Sequence, residues 1–271
     1  MAFESRYNPP RGDSWRYNPK AVKPYELSRS KIDLFMNCPR CFYLDAREGI
    51  AQPPGFPFNL NSAVDELLKK EFDIHRAKKT THPLMKEYGV DAVPYQTKLM
   101  DEWRDALRGG VRFLHEPTNF IVKGGLDDVW ENPNGELIVV DYKATSKKSE
   151  VNLDADWQIG YKRQVEVYQW LLRKNGYKVD NTAYFVYCNG DTDKEAFDGK
   201  LEFNIKIIPH KGDDSWIEGA LLEAKKTLDM DIEDMMVMTT KKAQSCDYCK
   251  YREAIRQVQA KIKKSKGKII R

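Results

Sequence analysis

The sequence lacks any apolar run approaching the roughly 18 to 20 residues that a membrane helix requires. It also lacks the basic-then-apolar start of a secretory signal peptide. The expectation is therefore a cytoplasmic protein with no membrane segment, whose thiols stay reduced. Cysteine is scarce, at five residues in 271, and in a reducing compartment paired cysteines point to metal before disulfide. A strong charge imbalance is missing too. The net charge is only +4, so the whole-molecule field does not by itself imply a polyanionic partner. No internal linker stands out. What is present is ordinary for a globular chain, with 41% hydrophobic and 32% charged residues, enough to bury a real core.

Charge is nevertheless unevenly placed. From Arg256 to Arg271 there are seven Lys or Arg and no acid, which reads as a basic C-terminal tail, either solvated or facing a polyanion. Residues 1–26 are rich in Pro, Arg, Tyr and Asn and read as an irregular arm. Arg-Tyr-Asn-Pro occurs at 6–9 and 16–19, too few copies for a repeat architecture. Between them, 27–255 reads as one domain. A short helix carries Ile32, Leu34, Phe35 and Met36. A second spans about 62–77, with Val64, Leu67, Leu68 and Phe72 on its apolar face, and Pro94 opens a third over about 95–108. A hairpin follows, turning at Asn132-Pro133-Asn134-Gly135. Then come a helix over about 156–174, strands over 181–188 and 201–208, and a helix over 213–228. This order predicts an α/β or α+β fold around one central sheet flanked by helices.

The hairpin's second strand, Leu137-Ile138-Val139-Val140-Asp141-Tyr142-Lys143, is apolar on both faces and then ends in charge. Alternation puts Leu137, Val139, Asp141 and Lys143 on one side, with Ile138, Val140, Tyr142 and Ala144 on the other. The turn brings Asp127 back opposite residues 140 to 142. Two converging carboxylates repel unless one takes a proton or a cation lies between them. Mg²⁺ suits such a site, being a hard ion held by one or two carboxylates plus waters and phosphate oxygens. The competing structural reading is a salt bridge between Asp141 and Lys143, with Asp127 or Asp128 facing solvent. In the next helix Gln164 and Tyr168 are four apart and share a face that can address the site.

The series Gly124-x-x-Asp127, Asp141-Tyr142-Lys143 and Gln164-x-x-x-Tyr168 resembles the PD-(D/E)XK nuclease superfamily, in its RecB-like branch, over roughly 28–255. That branch includes the RecB and AddB nuclease domains and the CRISPR-associated exonucleases. The resemblance implies a restriction-endonuclease-like core with a central mixed sheet, and Mg²⁺- or Mn²⁺-dependent cleavage of DNA. It implies metal ligation by Asp127, Asp141 and the Tyr142 carbonyl, and a catalytic role for Lys143, with Gln164 and Tyr168 as the accessory motif. It further implies exonuclease-like work in DNA repair, recombination or defence, with a helicase or recombination protein as a possible partner. One departure concerns an early helix, where RecB-like enzymes often carry Gly-x-x-x-His-Glu. Here the segment is Asn61-Ser62-Ala63-Val64-Asp65-Glu66, with Asp65 at the histidine's place. Aspartate is a hard oxygen donor, so Asp65 is either a replacement ligand or an exposed helix residue.

Four of the five cysteines form two pairs, Cys38-x-x-Cys41 and Cys246-x-x-Cys249, the spacing that lets two thiolates grip one metal. A four-thiolate site would staple two distant parts of the chain and so close a very long loop. Cys188, on a predicted strand, reads as a buried small hydrophobe. Some RecB-like members carry a four-iron four-sulfur cluster here, on one N-terminal cysteine and three near the C-terminus. Cys38, Cys246 and Cys249 match that pattern. Ile255 lies where the third C-terminal cysteine would fall, and Cys41 can complete the set instead. Iron–sulfur and Zn²⁺ both suit four thiolates; the resemblance favours the iron–sulfur cluster, with Zn²⁺ the alternative.

Two functions follow. One is a metal-dependent deoxyribonuclease, with DNA guided by lysines that include Lys147 and Lys148. The other is a catalytically inactive nucleic-acid-binding module on the same fold, which the replaced histidine motif favours and the cost of idle buried charge disfavours.

Overall fold

A computed structural model describes residues 10–55, 59–237 and 241–269. In chain order the strands are β1 (Tyr25–Ser28), β2 (Val93–Pro94), β3 (Val111–His115), β4 (Phe120–Gly124), β5 (Asp128–Glu131), β6 (Leu137–Thr145), β7 (Thr182–Gly190) and β8 (Phe203–Lys211). The helices are α1 (Arg29–Asn37), α2 (Pro39–Ala46), α3 (Asn59–Lys78), α4 (Pro83–Glu87), α5 (Met100–Arg104) and α6 (Ile159–Lys174). They continue with α7 (Trp216–Asp229), α8 (Ile232–Val237), α9 (Lys241–Ser245) and α10 (Asp247–Ile269). The chain divides into two units. One comprises residues 1–25, 30–55 and 219–271; the other comprises 26–29 and 56–218.

The larger unit is built on a mixed five-stranded sheet of order β2-β5-β6-β7-β8. β5 and β6 form the predicted hairpin, in register Asp128↔Val140. Its turn is set by the Asn132 side chain, whose Oδ1 accepts from the amides of Asn134 and Glu136 at 3.0 Å each, and by Gly135 at φ 72°. β6 then runs parallel to β7, which demands a crossover, and α6 supplies it. α3 covers one face of β6: Leu68 and Phe72 pack with Ile138, Val140 and Tyr142 in one apolar cluster that also takes in Cys188. Cys188 is buried as expected, and burial pushes its thiol up to about 11.

Several expectations need correction. There is a second sheet, three-stranded, of order β1-β4-β3, where a single central sheet was expected. The helix expected over 95–108 shrinks to α5, because Val93–Pro94 forms an edge strand against β5. An edge position tolerates proline, which lacks the N–H an interior strand needs. Leu67, expected on the apolar face of α3, is exposed.

In the smaller unit the copy of Arg-Tyr-Asn-Pro at 16–19 is anchored where a loose arm was expected. Tyr17 is buried and its hydroxyl donates to Asp229 at 2.6 Å. The first copy, at 6–9, lies outside the described residues. The basic segment after Arg256, expected as a tail, continues α10 to Ile269. Among the described residues no helix is long and apolar enough to cross a membrane.

Candidate active site

β6 carries its two ionic residues past the apolar cluster to its C-terminal half. Asp141 is fully buried, and its carboxylate forms an ion pair with Lys143. Beyond that ion pair, neither Asp141 oxygen has a hydrogen-bond partner among the described residues. A buried carboxylate with one ionic partner and no further donor keeps lone pairs free, which leaves room in its coordination for a further ligand. Burial pushes the Asp141 pKa up to about 7; Lys143 pulls it down and Asp127 pushes it further up. For Lys143 burial disfavours the ammonium, but Asp141 and Asp127 more than offset it, and its pKa rises above the ordinary lysine value. Lys143 is thus held protonated.

Asp127 precedes β5 and turns its carboxylate onto the β6 backbone, where Oδ2 accepts from the Tyr142 amide at 3.0 Å. The Tyr142 side chain points the other way, into the core, and its hydroxyl donates to Asp128 at 2.6 Å. The two adjacent aspartates therefore divide in role. Asp128 is fully buried and paired with Arg76, a structural tie, while Asp127 is half-buried beside Asp141.

From α3, Asp65 joins the group through Lys69, whose Nζ lies 2.7 Å from Asp65 Oδ2 and 3.5 Å from Asp127 Oδ1. Burial and the neighbouring Asp127 charge raise the Asp65 pKa, against the pull of Lys69. Asn61, near the start of α3, donates its amide to the Ala144 carbonyl at 2.9 Å and ties α3 to the end of β6.

From α6, Gln164 Nε2 donates to the Tyr168 hydroxyl at 3.2 Å. The Tyr168 ring lies so close to Gly124 that a Cβ there would sit 2.6 Å from its Cε1. This is the physical reason for glycine at that motif position. Burial raises the Tyr168 pKa; Arg29 draws it down, and Asp127 and Asp141 push it up.

The sequence-predicted residues Asp65, Asp127, Asp141, Lys143, Gln164 and Tyr168 thus gather about one strand end. The sequence reasoning missed Lys69 and Arg29. Lys69 carries a readable signal, an acid–lysine pair at i,i+4 on a helix. Arg29 carries none, being almost a hundred residues from Asp127 in sequence.

A family model for the PD-(D/E)XK nuclease superfamily matches residues 26–254. The chain belongs to the PD-(D/E)XK nuclease superfamily. Among solved structures the chain is similar to "Crystal structure of SSO0001", at 16% identity and a TM-score of 0.34, covering 86% of this chain and 85% of that chain. The search of curated proteins finds no match. The superfamily's divalent ion can be tested against the residues present. The buried Asp141 oxygens, which lack hydrogen-bond donors, and the Asp127 carboxylate are hard donors, and they fit Mg²⁺ or Mn²⁺.

The four cysteines also come together. All four sulfurs lie within 4.8 Å of one another. Cys38–Cys249, Cys41–Cys246 and Cys41–Cys249 are separated by 3.6, 3.7 and 3.8 Å. Cys38 caps α2, its sulfur accepting from the Cys41 amide at 3.4 Å, and Cys246 immediately precedes α10. Both cysteine pairs therefore lie at helix N-termini, where the backbone favours negative charge. The Arg252 guanidinium donates to Cys249 at 3.2 Å and to Cys41 at 3.7 Å. Hydrogen bonding, first from Cys38, draws the Cys41 thiol down to about 5.

Proposed function

We propose that the chain is a divalent-metal-dependent nuclease that hydrolyses DNA phosphodiester bonds, working inward from strand ends. The observation that carries this reading is Asp141, a fully buried carboxylate without a hydrogen-bond partner, set beside Lys143 and Asp127 at one strand end. Buried charge of this kind lowers stability and is retained where it has a task. Asp127, Asp141 and the Tyr142 carbonyl would hold the ion, with Asp65 a further oxygen donor on the same side. Bound there, a divalent ion polarises a phosphodiester and lowers the pKa of a water. Lys143, held as an ammonium, does not serve as a general base; it offsets negative charge developing on the phosphorus oxygens. Gln164 orients the Tyr168 hydroxyl, and the Tyr168 ring packs against Gly124 at the head of the Asp127 turn.

We read the cysteine cluster as a separate structural site for one tetrahedral ion, zinc by class, in place of an iron–sulfur cluster. A Zn–S bond of about 2.3 Å sets tetrahedral S···S edges of about 3.8 Å; three of the six spacings, 3.6 to 3.8 Å, lie close to that and all six fall within 4.8 Å. A four-iron cluster interposes irons and inorganic sulfides between the thiolates and spreads them further apart. Four thiolates on Zn²⁺ leave a net double negative charge, and Arg252 is placed to offset part of it.

One observation favours the inactive binding module: the Lys69 ammonium already bridges Asp65 and Asp127, neutralising charge that a metal would otherwise meet. A cleavage assay separates the readings. Labelled single- and double-stranded DNA is incubated with the protein and Mg²⁺ or Mn²⁺. The expected result is degradation that stops with chelator and falls by at least about 100-fold in Lys143→Ala and Asp141→Asn, while DNA binding persists. Binding without degradation, or undiminished cleavage by Lys143→Ala, overturns the nuclease reading.

A further inference from the structure

We propose that Trp157 and Tyr161 form a base-stacking ramp that delivers a single-stranded DNA end to Lys143. The inference rests on the nuclease reading for what happens at the end of the ramp, but not for the binding itself.

The ramp starts at the site. Lys143 Nζ lies over the Tyr161 ring, 4.6 Å from its centroid. Tyr161 meets Trp157 edge to face, with centroids 5.5 Å apart, one turn back along the chain. Lys147 Nζ lies over the Trp157 ring at 5.0 Å. Two adjoining rings, each with a lysine ammonium over it, thus lead outward from the buried ion pair, and Trp157, the outer ring, is 57% exposed. A tryptophan this open gains little from its own fold, and hydrophobic burial does not explain it.

The frame under it is not loose. The Gln158 side chain is fully buried; its Nε2 donates to the Asn152 carbonyl at 2.7 Å, and its Oε1 accepts from the Ala155 amide at 3.0 Å. On the other side Asn189 clamps Lys147 reciprocally. Its Oδ1 accepts from the Lys147 amide at 2.7 Å and its Nδ2 donates to the Lys147 carbonyl at 2.9 Å. Two side-chain amides therefore fix the backbone that presents one exposed ring and one lysine.

This combination suits unpaired bases. Every base offers a π face, aromatic stacking is tolerant of sequence, and nearby lysines meet the phosphates. Asp154 and Asp156, exposed in the same turn as Trp157, repel phosphates, so the attraction at the tryptophan is for base faces. In a duplex those faces are occupied by their neighbours, which makes the ramp selective for single strands.

Binding is measured by fluorescence anisotropy without added divalent cation, so that cleavage plays no part. Wild type, Trp157→Ala and Trp157→Phe are compared on a labelled twelve-nucleotide single strand, a matching duplex, and a strand of the same length with abasic positions throughout. Trp157→Ala is expected to weaken single-strand binding by about 5- to 150-fold, the range set by ~1–3 kcal/mol per stacked base. Trp157→Phe retains most of the affinity, and duplex binding changes little. Wild type on the abasic strand binds as weakly as Trp157→Ala on the natural one. If Trp157→Ala binds the single strand within twofold of wild type, or loses as much on the abasic strand, or wild type does not bind single strands, the ramp is wrong. Should Trp157→Ala fail to fold by circular dichroism, Trp157→Gln replaces it under the same criteria. Stacking without cleavage in Mn²⁺ removes the nuclease reading alone; cleavage with unaltered binding removes the ramp alone.

Discussion

Enclosing Asp141 within a covered strand raises its pKa to about 7, chiefly through burial, with Lys143 lowering it and Asp127 raising it. The folded chain then holds a proton there more tightly than the unfolded chain, whose aspartates titrate near 4. As pH rises from about 4 to about 7 the metal-free folded state therefore loses stability, since it must surrender a proton that the unfolded state has already lost. Urea midpoints of metal-free protein at pH 5 and pH 7.5 should show this fall, and Asp141→Asn should show less of it. A second single-residue consequence lies at Gly124. Adding one methyl in Gly124→Ala drives a Cβ to 2.6 Å from the Tyr168 ring, so the ring must shift. The expected cost is about 1–3 kcal/mol in urea unfolding, together with reduced cleavage. A Gly124→Ala protein with wild-type stability and rate would show that the ring has room to spare.

Among elements, α3 is the one that ties the site to the sheet. Its Arg76 is buried against Asp128, donates to the Val129 carbonyl at 3.3 Å and pairs with Asp73 at 2.9 Å, while Arg104 binds Asp73 at 2.8 Å. Replacing Arg76 with Met leaves the Asp128 carboxylate buried with the Tyr142 hydroxyl, the Val129 amide and Arg104 at 3.5 Å, and without its close guanidinium partner. A loss of about 3–5 kcal/mol is expected, read from the urea midpoint. This is also the scale at which the sequence was partly legible. The β5–β6 hairpin, α3 and α6 could be read because their signals are local: Asn-Gly at the turn, β-branched residues in β6, apolar spacing in α3. The second sheet could not, since β1 and β3 are short and Val111-Arg112-Phe113-Leu114-His115 carries no clean alternation. The helix wrongly extended from Pro94 shows a local rule losing to pairing with β5. Lys-rich α10 reads as a tail by charge, although Gln, Ala and Lys are good helix formers. Asp127, Asp141 and Lys143 were legible as a group only because a two-residue period and one turn fix where they meet; the Lys69 bridge depends on tertiary distance.

At the scale of the whole molecule, two distant stretches of chain meet through sulfur. The metal reading predicts protein that is colourless when purified anaerobically, with about one zinc per chain by mass spectrometry of metals. Absorbance near 400 nm with iron and inorganic sulfide would reverse it. Removing the metal, or Cys249→Ser, should open residues 219–269 to limited proteolysis before residues 59–218, as mapped by peptide mass spectrometry. Simultaneous cleavage of both regions would show that the sulfurs hold nothing locally.

Cys38 and Cys249 stand 211 positions apart. On a ribosome adding roughly 5–20 residues each second, the first pair of thiols waits about 10–40 s before its partners are even synthesised. During that interval the nascent chain carries two thiols without their partners, open to oxidants. Synthesis of the second pair ends that exposure, so a ribosome that stalls between the two leaves a product with an unlatched thiol pair.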